Sequence, residues 1–526
     1  MNHTSRSSSG QTRVAVIGAG ASGLVAARFL LKHGTDVVVY EQHSGLGGQW
    51  DHTSPYSAVW SDMRTNTCSV TTRFSDMKHH ENVPLYPRNQ TILEYLNRYA
   101  DVFGIVESIR FETRVLLLEQ LENVWKITSV YQERVEYTDE YDAVVIASGR
   151  FRKPYVPDVE GLHTFTGKGG ISHSYRYKEP DTFRGLRVLV AGGSISAYEI
   201  STSLAMEGAK QVITAGRRAK YISGRLYQGR SVEYLRHTRY ARMLSELMPR
   251  KEILERTKAF LLKTMGAPEQ FGAIAPDVDP EVAGFSTSET YLPMVAEGLI
   301  QPKPWISRIA GTTVYFSDGS VEREVDAIVF CTGYDLEIPF LSEALRDQLQ
   351  PTRQHLPLAW YTFHPDIPTL AFLGFWFHSG SVFVSTEQQA RMVAYEFCGV
   401  NKATTRATRM KDYKKYLATQ HMHAKVSLYT FSHLLSELGR FSPDLSEHPD
   451  LARYLLFGPI TPSTFRLSGI DAVSDAPQRI IFEASQYGIM KEGVFSEDEK
   501  AKLRALAVLK NDSNFTRYVQ KVIRRN

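Results

Sequence analysis

The sequence predicts an α/β protein of two parallel-sheet domains, one inserted in the other, followed by a helical C-terminal region. Three observations predict it. A strand-like apolar run, a turn of small residues and a helical run follow one another twice, at Arg13–Gly23 and at Arg187–Ala197. Two further segments, Asp142–Gly149 (DAVVIASG) and Asp326–Gly333 (DAIVFCTG), are near-copies, each a buried-strand run stopping at a small polar residue and glycine. Finally, 526 residues are too many for one ordinary core.

Pairing each turn with the closing strand downstream sets the boundaries. Residues 13–160 and 334–400 form the first, discontinuous domain, and 161–333 form the inserted one. Residues 1–12 are a flexible N-terminus, Ser-rich and free of acids. The Pro-bearing stretch Arg152–Gly161 makes one crossing between domains, and Gly333–Phe340 the other. Residues 221–285 lack any glycine-turn signal and read as a helical, charged insert, a lid on the second domain. Residues 401–526 read as a polar helical region packed on the first domain, with a loop at Phe457–Gly469.

Composition narrows the function. The chain is 43% hydrophobic and 22% charged, as a soluble globular protein is. Lys plus Arg (61) nearly balances Asp plus Glu (57), which argues against nucleic acid as a partner. The three cysteines, Cys68, Cys331 and Cys398, are too far apart for a disulfide framework, a redox pair or a zinc site. His79, His80 and Glu81 are consecutive and would point apart on a strand, so no metal site is expected. The longest apolar run, 367–377, is too short for a transmembrane anchor. The ending FTRYVQKVIRRN reads as a solvated helix end. A cytoplasmic protein is expected, with a homodimer left open.

The first turn carries most. Gly18-Ala-Gly20-Ala21-Ser22-Gly23 follows the strand Arg13–Ile17 and opens an amphipathic run to His33, and a second strand, Asp36–Tyr40, ends at Glu41. Gly18 permits the tight turn, Gly20 lets the backbone approach a pyrophosphate, and Gly23 allows helix–strand packing. The helix N-terminus stabilises the phosphate charge. Glu41, about 20 residues on, is placed to accept from a ribose hydroxyl. This is a Rossmann-like dinucleotide fingerprint. After it, Gly45-Leu-Gly47-Gly48-Gln49-Trp50 would let backbone run along a flat cofactor that Trp50 walls.

The second turn, Gly192-Gly193-Ser194-Ile195-Ser196-Ala197, has Ser where the second glycine belongs and Ala at the third. Its second strand, Gln211–Ala215, ends in Gly216-Arg217-Arg218 rather than in a carboxylate. Arginines there favour the 2′-phosphate of NADPH over the 2′-hydroxyl of NADH.

Together, GAGASG, EQHSGLGGQW (Glu41–Trp50), CTGY (Cys331–Tyr334) and FGPITPSTFRLSG (Phe457–Gly469) resemble the flavin-containing monooxygenases, class B flavoproteins, from about Thr12 to Ala472. The resemblance implies FAD on the first domain and NADPH on the second. It implies FAD contacts at the first turn, at Glu41 and Gln42, at Gly48, Gln49 and Trp50, and at Thr65, Val115 and Gly149. It implies NADPH contacts at Gly193–Ser196, Arg217 and Arg218, with Thr332, Gly333 and Tyr334 closing the site.

The same resemblance makes Asn66, in MRTNTCSVTTRFSD, the catalytic residue, its amide beside the flavin C4a region. The residues after it, TCSVTTR, depart from the family. Its Phe-x-Gly-x-x-x-His segment departs too: five residues separate Gly167 from His173 here, and His173 is read as structural. Ser385–Arg391 resembles the family's Glu-x-Gln-Ala-Arg helix start, whose dipole suits charge on a reduced flavin. Trp376 and His378 are the substrate-pocket candidates.

The implied activity is that of an NADPH- and O2-dependent monooxygenase of the N,N-dimethylaniline monooxygenase type. A flavin C4a-hydroperoxide passes one oxygen to a nitrogen or sulfur nucleophile of a small-molecule substrate, a secondary metabolite being the suggested class. The alternatives are Baeyer–Villiger insertion into a ketone and an NADPH–flavin redox protein that oxygenates nothing.

Overall fold

The protein is described from a computed structural model covering residues 11–122, 124–419, 426–486, 490 and 492–525. The expected flexible N-terminus lies almost wholly outside the described residues. Strand Arg13–Ile17 pairs in parallel with Asp36–Tyr40 on one side and Ala143–Ile146 on the other. The sheet continues through Ile367–Phe372, parallel to Ala143–Ile146, to an antiparallel edge at Phe363–His364. Its central strands are continuous apolar runs, as a parallel sheet covered on both faces requires.

Helix Ala21–Lys32 and helix Val382–Phe397 cover one face, where Leu24, Val25, Phe29, Val393 and Ala394 are buried in one core. A three-stranded antiparallel meander, Thr113–Leu121, Val124–Tyr131 and Val135–Tyr141, covers the other. Trp125 of this meander is fully buried and donates to Thr369 Oγ1 at 2.9 Å.

The inserted unit repeats the plan. Strand Arg187–Ala191 pairs in parallel with Gln211–Ala215 and with Ala327–Phe330, and Ile300–Lys303 and Gly170–His173 extend the sheet. Helix Ile195–Met206 packs on one face. A small meander of Ile306–Ala310, Thr313–Phe316 and Val321–Glu322 packs on the other. Both expected crossings meet: Lys153–Pro154 pairs antiparallel with Tyr334–Asp335, so two strands side by side join the units.

Segment 221–285, expected to be mostly helical, holds the helices Arg239–Leu247 and Arg250–Met265 and also short strands. Tyr221–Ser223 pairs in parallel with Phe285–Thr287, closing the insert with a two-stranded clasp around its helices. Helix Arg239–Leu247 leaves the second unit and packs Tyr240, Met243 and Leu244 into the core of the C-terminal region.

That region is less polar than its sequence suggests. Phe457–Gly469, expected as a loop, contains a buried 3-10 turn at Pro462–Arg466. Arg466 meets Asp76 at 3.0 Å, and Arg28 of the first helix meets the same carboxylate at 3.2 Å. Asp471 pairs with Lys32 and accepts from Tyr395 Oη at 2.6 Å, and these contacts hold its carboxyl well below the usual range against the opposing effect of burial. The last helix, Ser513–Arg525, buries Phe515, Val519 and Val522; it is a packed amphipathic helix with one basic face, not a solvated end. Among the described residues no helix is long and apolar enough to cross a membrane.

Candidate functional site

The first turn is built by steric exclusion. Gly18 has φ 107° and donates its N–H to Tyr40 O at 2.8 Å; a Cβ there would lie 2.7 Å from Ala147 O. A Cβ on Gly23 would lie 1.8 Å from Gly18 O, so only glycine lets the helix start this close to the strand. Gly20 differs: its Cβ would meet only Gly48 Cα, at 3.6 Å, leaving the other side to the cavity.

Glu41 closes the turn. Its carboxylate accepts from Ala19 N–H at 2.8 Å and His43 N–H at 2.9 Å, and burial pushes its pKa up against those two bonds. Gly47 N–H donates to Ala19 O at 3.0 Å, which lays the Gly47–Gly48 segment on Gly20. Gln49 braces the next loop, accepting from Ala58 N–H and donating to Tyr56 O. Trp50 tilts against Phe383, 6.0 Å between ring centroids. Gly374 meets the turn from the far side; a Cβ on it would be 2.9 Å from Ser22 Oγ. Gln389 holds that approach, accepting from Gly374 N–H at 3.2 Å and donating to Phe372 O at 2.9 Å.

The second turn is formed alike. Gly192 N–H donates to Ala215 O at 2.8 Å, and a Cβ on Gly192 would be 2.5 Å from Cys331 O. Ser194 stands at the N-cap of helix Ile195–Met206 without a side-chain cap bond. Gly193 and Arg218 line a small cavity of about 40 Å³ with Gly216 and Lys303. Arg217 is exposed, its guanidinium 4.9 Å above the Trp305 ring.

The first turn and the start of helix Ile195–Met206, just after the second turn, open on one cavity of about 1050 Å³, above the usual range of roughly 300–1,000 Å³ for a small-molecule pocket. Gly18, Gly20, Ala21 and Ser22 enter it from the first unit, and Ile195, Ser196 and Glu199 from the second. Gln42, Gly48, Thr65, Val115, Gly149, Tyr334 and Trp376 also line it, and the insert roofs it with Arg236, His237 and Phe285. Thr65 Oγ1, Asn66 Oδ1, Ser148 Oγ and Glu199 Oε1 are buried in this wall without a hydrogen-bond partner among the described residues. Buried polar atoms are rarely left unpaired. With His237 Nδ1 and Ser286 Oγ, six such atoms belong to residues lining one cavity and mark it as built for a polar ligand, which fits a dinucleotide.

Some expected residues lie elsewhere. Thr332 Oγ1 donates to Tyr155 O and Gly333 O accepts from Tyr155 N–H, so both tie the crossing strands. His173 Nδ1 accepts from Tyr175 N–H at 3.1 Å, its ring 5.1 Å edge-on from Tyr334, and burial brings its pKa down to about 4. The side chain of His378 lies outside the described residues. Glu233, Arg236 and His237 went unread because they sit in the insert, where no motif marks them.

The chain matches the family model for flavin-binding monooxygenase-like proteins over residues 11–502. It is 28% identical over 491 residues to dimethylaniline monooxygenase [N-oxide-forming] 2 of Cavia porcellus, covering 87% of this chain and 89% of the relative. Two solved structures share the fold. One is S-allyl-L-cysteine S-oxygenase from Allium sativum (TM-score 0.58, 19% identity, 98% and 99% of the two chains). The other is cyclohexanone monooxygenase bound to ε-caprolactone (TM-score 0.64, 18% identity, 82% and 98%).

Proposed function

As a member of the flavin-binding monooxygenase-like family, the chain, we propose, is an FAD-containing, NADPH- and O2-dependent monooxygenase that oxygenates an amine nitrogen or a thioether sulfur. The observation that carries the reading is the single cavity lined by the first glycine turn and by Ile195, Ser196 and Glu199 of the helix that follows the second. One nucleotide bound at each helix start would direct its reactive ring into the same space.

Each residue has a task. The N–H groups of Ala21 and Ser22, at the start of helix Ala21–Lys32, would hold the FAD pyrophosphate, and Gly20 leaves room for it. Glu41 is set at the end of the second strand for the ribose. Gly193, Ser194, Ile195 and Ser196 would hold the NADPH pyrophosphate, with Arg217 and Arg218 on its 2′-phosphate. When bound, FAD supplies the hydride acceptor and the site of oxygen activation.

The protein orients and shields. Asn66 presents an uncharged amide whose acceptor is unpaired. Such a group can hold a reacting oxygen or a retained nicotinamide without donating a proton that would release peroxide. Trp376, Phe383 and residues of the insert line the cavity and would shield a bound flavin from water. Nitrogen as the acceptor is supported by the N-oxide-forming activity in the relative's name.

The test is direct. The purified protein should be yellow and release FAD on denaturation. With N,N-dimethylaniline or methyl phenyl sulfide it should convert NADPH and O2 into N-oxide or sulfoxide. A ketone converted to an ester under the same conditions would move the reading to Baeyer–Villiger chemistry. NADPH oxidation that yields only hydrogen peroxide with every nucleophile tried would refute it.

A further inference from the structure

The cavity also carries a cation without a hydrogen bond or ion pair among the described residues. Arg236 ends the one-turn helix Glu233–Arg236 and lines the cavity. The helix is tied to the Asn66 loop at its start: buried Glu233 accepts from Cys68 N–H and, at 2.8 Å, from Thr71 Oγ1. At its end, His237 packs so tightly on Gly380 that a Cβ there would lie 2.5 Å from the ring. Arg236 therefore stands between the loop that bears Asn66 and the loop entering helix Val382–Phe397.

Other arginines of this cavity are engaged. Arg114 pairs with Glu133 and Arg250 with Glu281. Arg152 donates to Gln42 Oε1, Arg150 to Gln354 O and Arg64 to Tyr86 O. Among the described residues no hydrogen bond or ion pair engages the Arg236 guanidinium. The ionisable groups that bear on it are the Tyr429 phenol and His237. Burial pushes the pKa of His237 down to about 3, so its ring is neutral and no countercharge. Glu233 is occupied by Cys68, Thr71 and Ser231, and Glu199, also on the cavity wall, is faced by Arg225.

A guanidinium cannot shed its charge in a protein. Its partial burial without a countercharge is unfavourable, and an incoming anion reduces that cost. Its planar fork matches a carboxylate in two parallel hydrogen bonds. We propose that Arg236 is a substrate anchor that takes a carboxylate, so that the preferred substrate is an amine acid or thioether acid with its nucleophile turned toward Asn66. This names the substrate class of the reading above and rests on that reading.

The experiment compares 4-(methylthio)butanoate with its methyl ester. Binding of each to FAD-loaded protein is measured by calorimetry, and sulfoxide formation separately. The acid should bind about ten- to a hundredfold more tightly than the ester, the range for hydrogen bonds to a charged partner. Arg236→Gln should abolish that discrimination, and Arg236→Lys should restore part of it. FAD content serves as the control for folding. Equal binding of acid and ester to the unmodified protein would overturn the proposal. So would an Arg236→Gln variant that weakens both probes alike, or one that keeps the discrimination and instead raises the half-saturating NADPH concentration. If the acid binds preferentially but all NADPH ends as hydrogen peroxide, the anchor stands and the monooxygenase reading falls.

Discussion

Replacing Asn66 with alanine separates a functional amide from a structural one. Asn66 Oδ1 is buried and unpaired, and so makes none of the local bonds by which an asparagine stabilises a turn. Its backbone φ is not positive, so the loop does not need an asparagine for its conformation. Leaving such an acceptor buried costs about 1–3 kcal/mol, so Asn66→Ala should leave the unliganded protein as stable or more stable. In the reaction the same amide is expected to contribute one hydrogen bond, about 1–1.5 kcal/mol, and its loss should lower the ratio of product to peroxide about five- to tenfold. The assays are thermal melting of the FAD-free and FAD-loaded protein, and parallel measurement of NADPH, oxygenated product and hydrogen peroxide. NADPH should still be consumed and FAD still retained. A melting temperature lowered by several degrees with coupling unchanged would refute the reasoning and return Asn66 to a structural role.

Arg217→Ala with Arg218→Ala should raise the half-saturating NADPH concentration about ten- to a hundredfold and barely alter that of NADH; equal effects in steady-state reduction would show that neither arginine reads the 2′-phosphate. Gly20→Ala meets only Gly48 Cα at 3.6 Å, whereas Gly23→Ala puts a Cβ 1.8 Å from Gly18 O. Gly20→Ala should therefore fold with weakened FAD retention, while Gly23→Ala should unfold the turn itself. Circular dichroism and released FAD distinguish the two, and identical behaviour would contradict the packing described. Burial lowers the His173 pKa to about 4, below its unfolded value of about 6.5, so the folded state binds fewer protons between these values and stability falls as pH falls through that window. Melting temperature against pH should have a shallower acid limb in His173→Gln, and parallel curves would show that His173 does not titrate on unfolding.

Legibility in the sequence followed how local each signal is. The strands Arg13–Ile17, Asp36–Tyr40, Arg187–Ala191 and Gln211–Ala215 were readable because each is a short, largely buried apolar run that starts at a polar residue and ends beside glycine or charge. The repeat of DAVVIASG as DAIVFCTG disclosed the nesting of one unit in the other, since both runs pair in the middle of their sheets. The antiparallel meanders were not readable in this way. Val135–Tyr141 is largely exposed, and its pattern is that of a polar loop until Val124–Tyr131 pairs with it.

Burial of charge defeats sequence reading most thoroughly. Arg391, Arg466 and Glu387 belong to runs that look polar, yet each is fully or almost fully buried. Arg391 donates to Phe465 O at 2.8 Å and lies 3.8 Å over the Phe441 ring, partners more than forty residues away along the chain. Burial pushes the pKa of Glu387 up to about 7, in a site that also holds Asp76 and is opposed by Arg466 and Arg391. Removing one member of such a cluster leaves another charge buried and unpaired, a loss of about 3–5 kcal/mol, so the C-terminal region should dock on the first helix as one unit. Arg236 follows the same rule with the opposite result. In sequence it stands near Arg239 and Arg242 in the charged insert, where nothing sets it apart from them. Arg239 finds Pro443 O at 3.0 Å and Arg242 finds Glu246 at 2.8 Å. Arg236 alone of the three lines the cavity, and among the described residues no acid pairs with it. A fold that satisfies its buried charges elsewhere by pairing across long sequence separations, and leaves this one unpaired among the described residues on the wall of the cavity that Asn66 also lines, is a fold in which the missing partner belongs to the ligand.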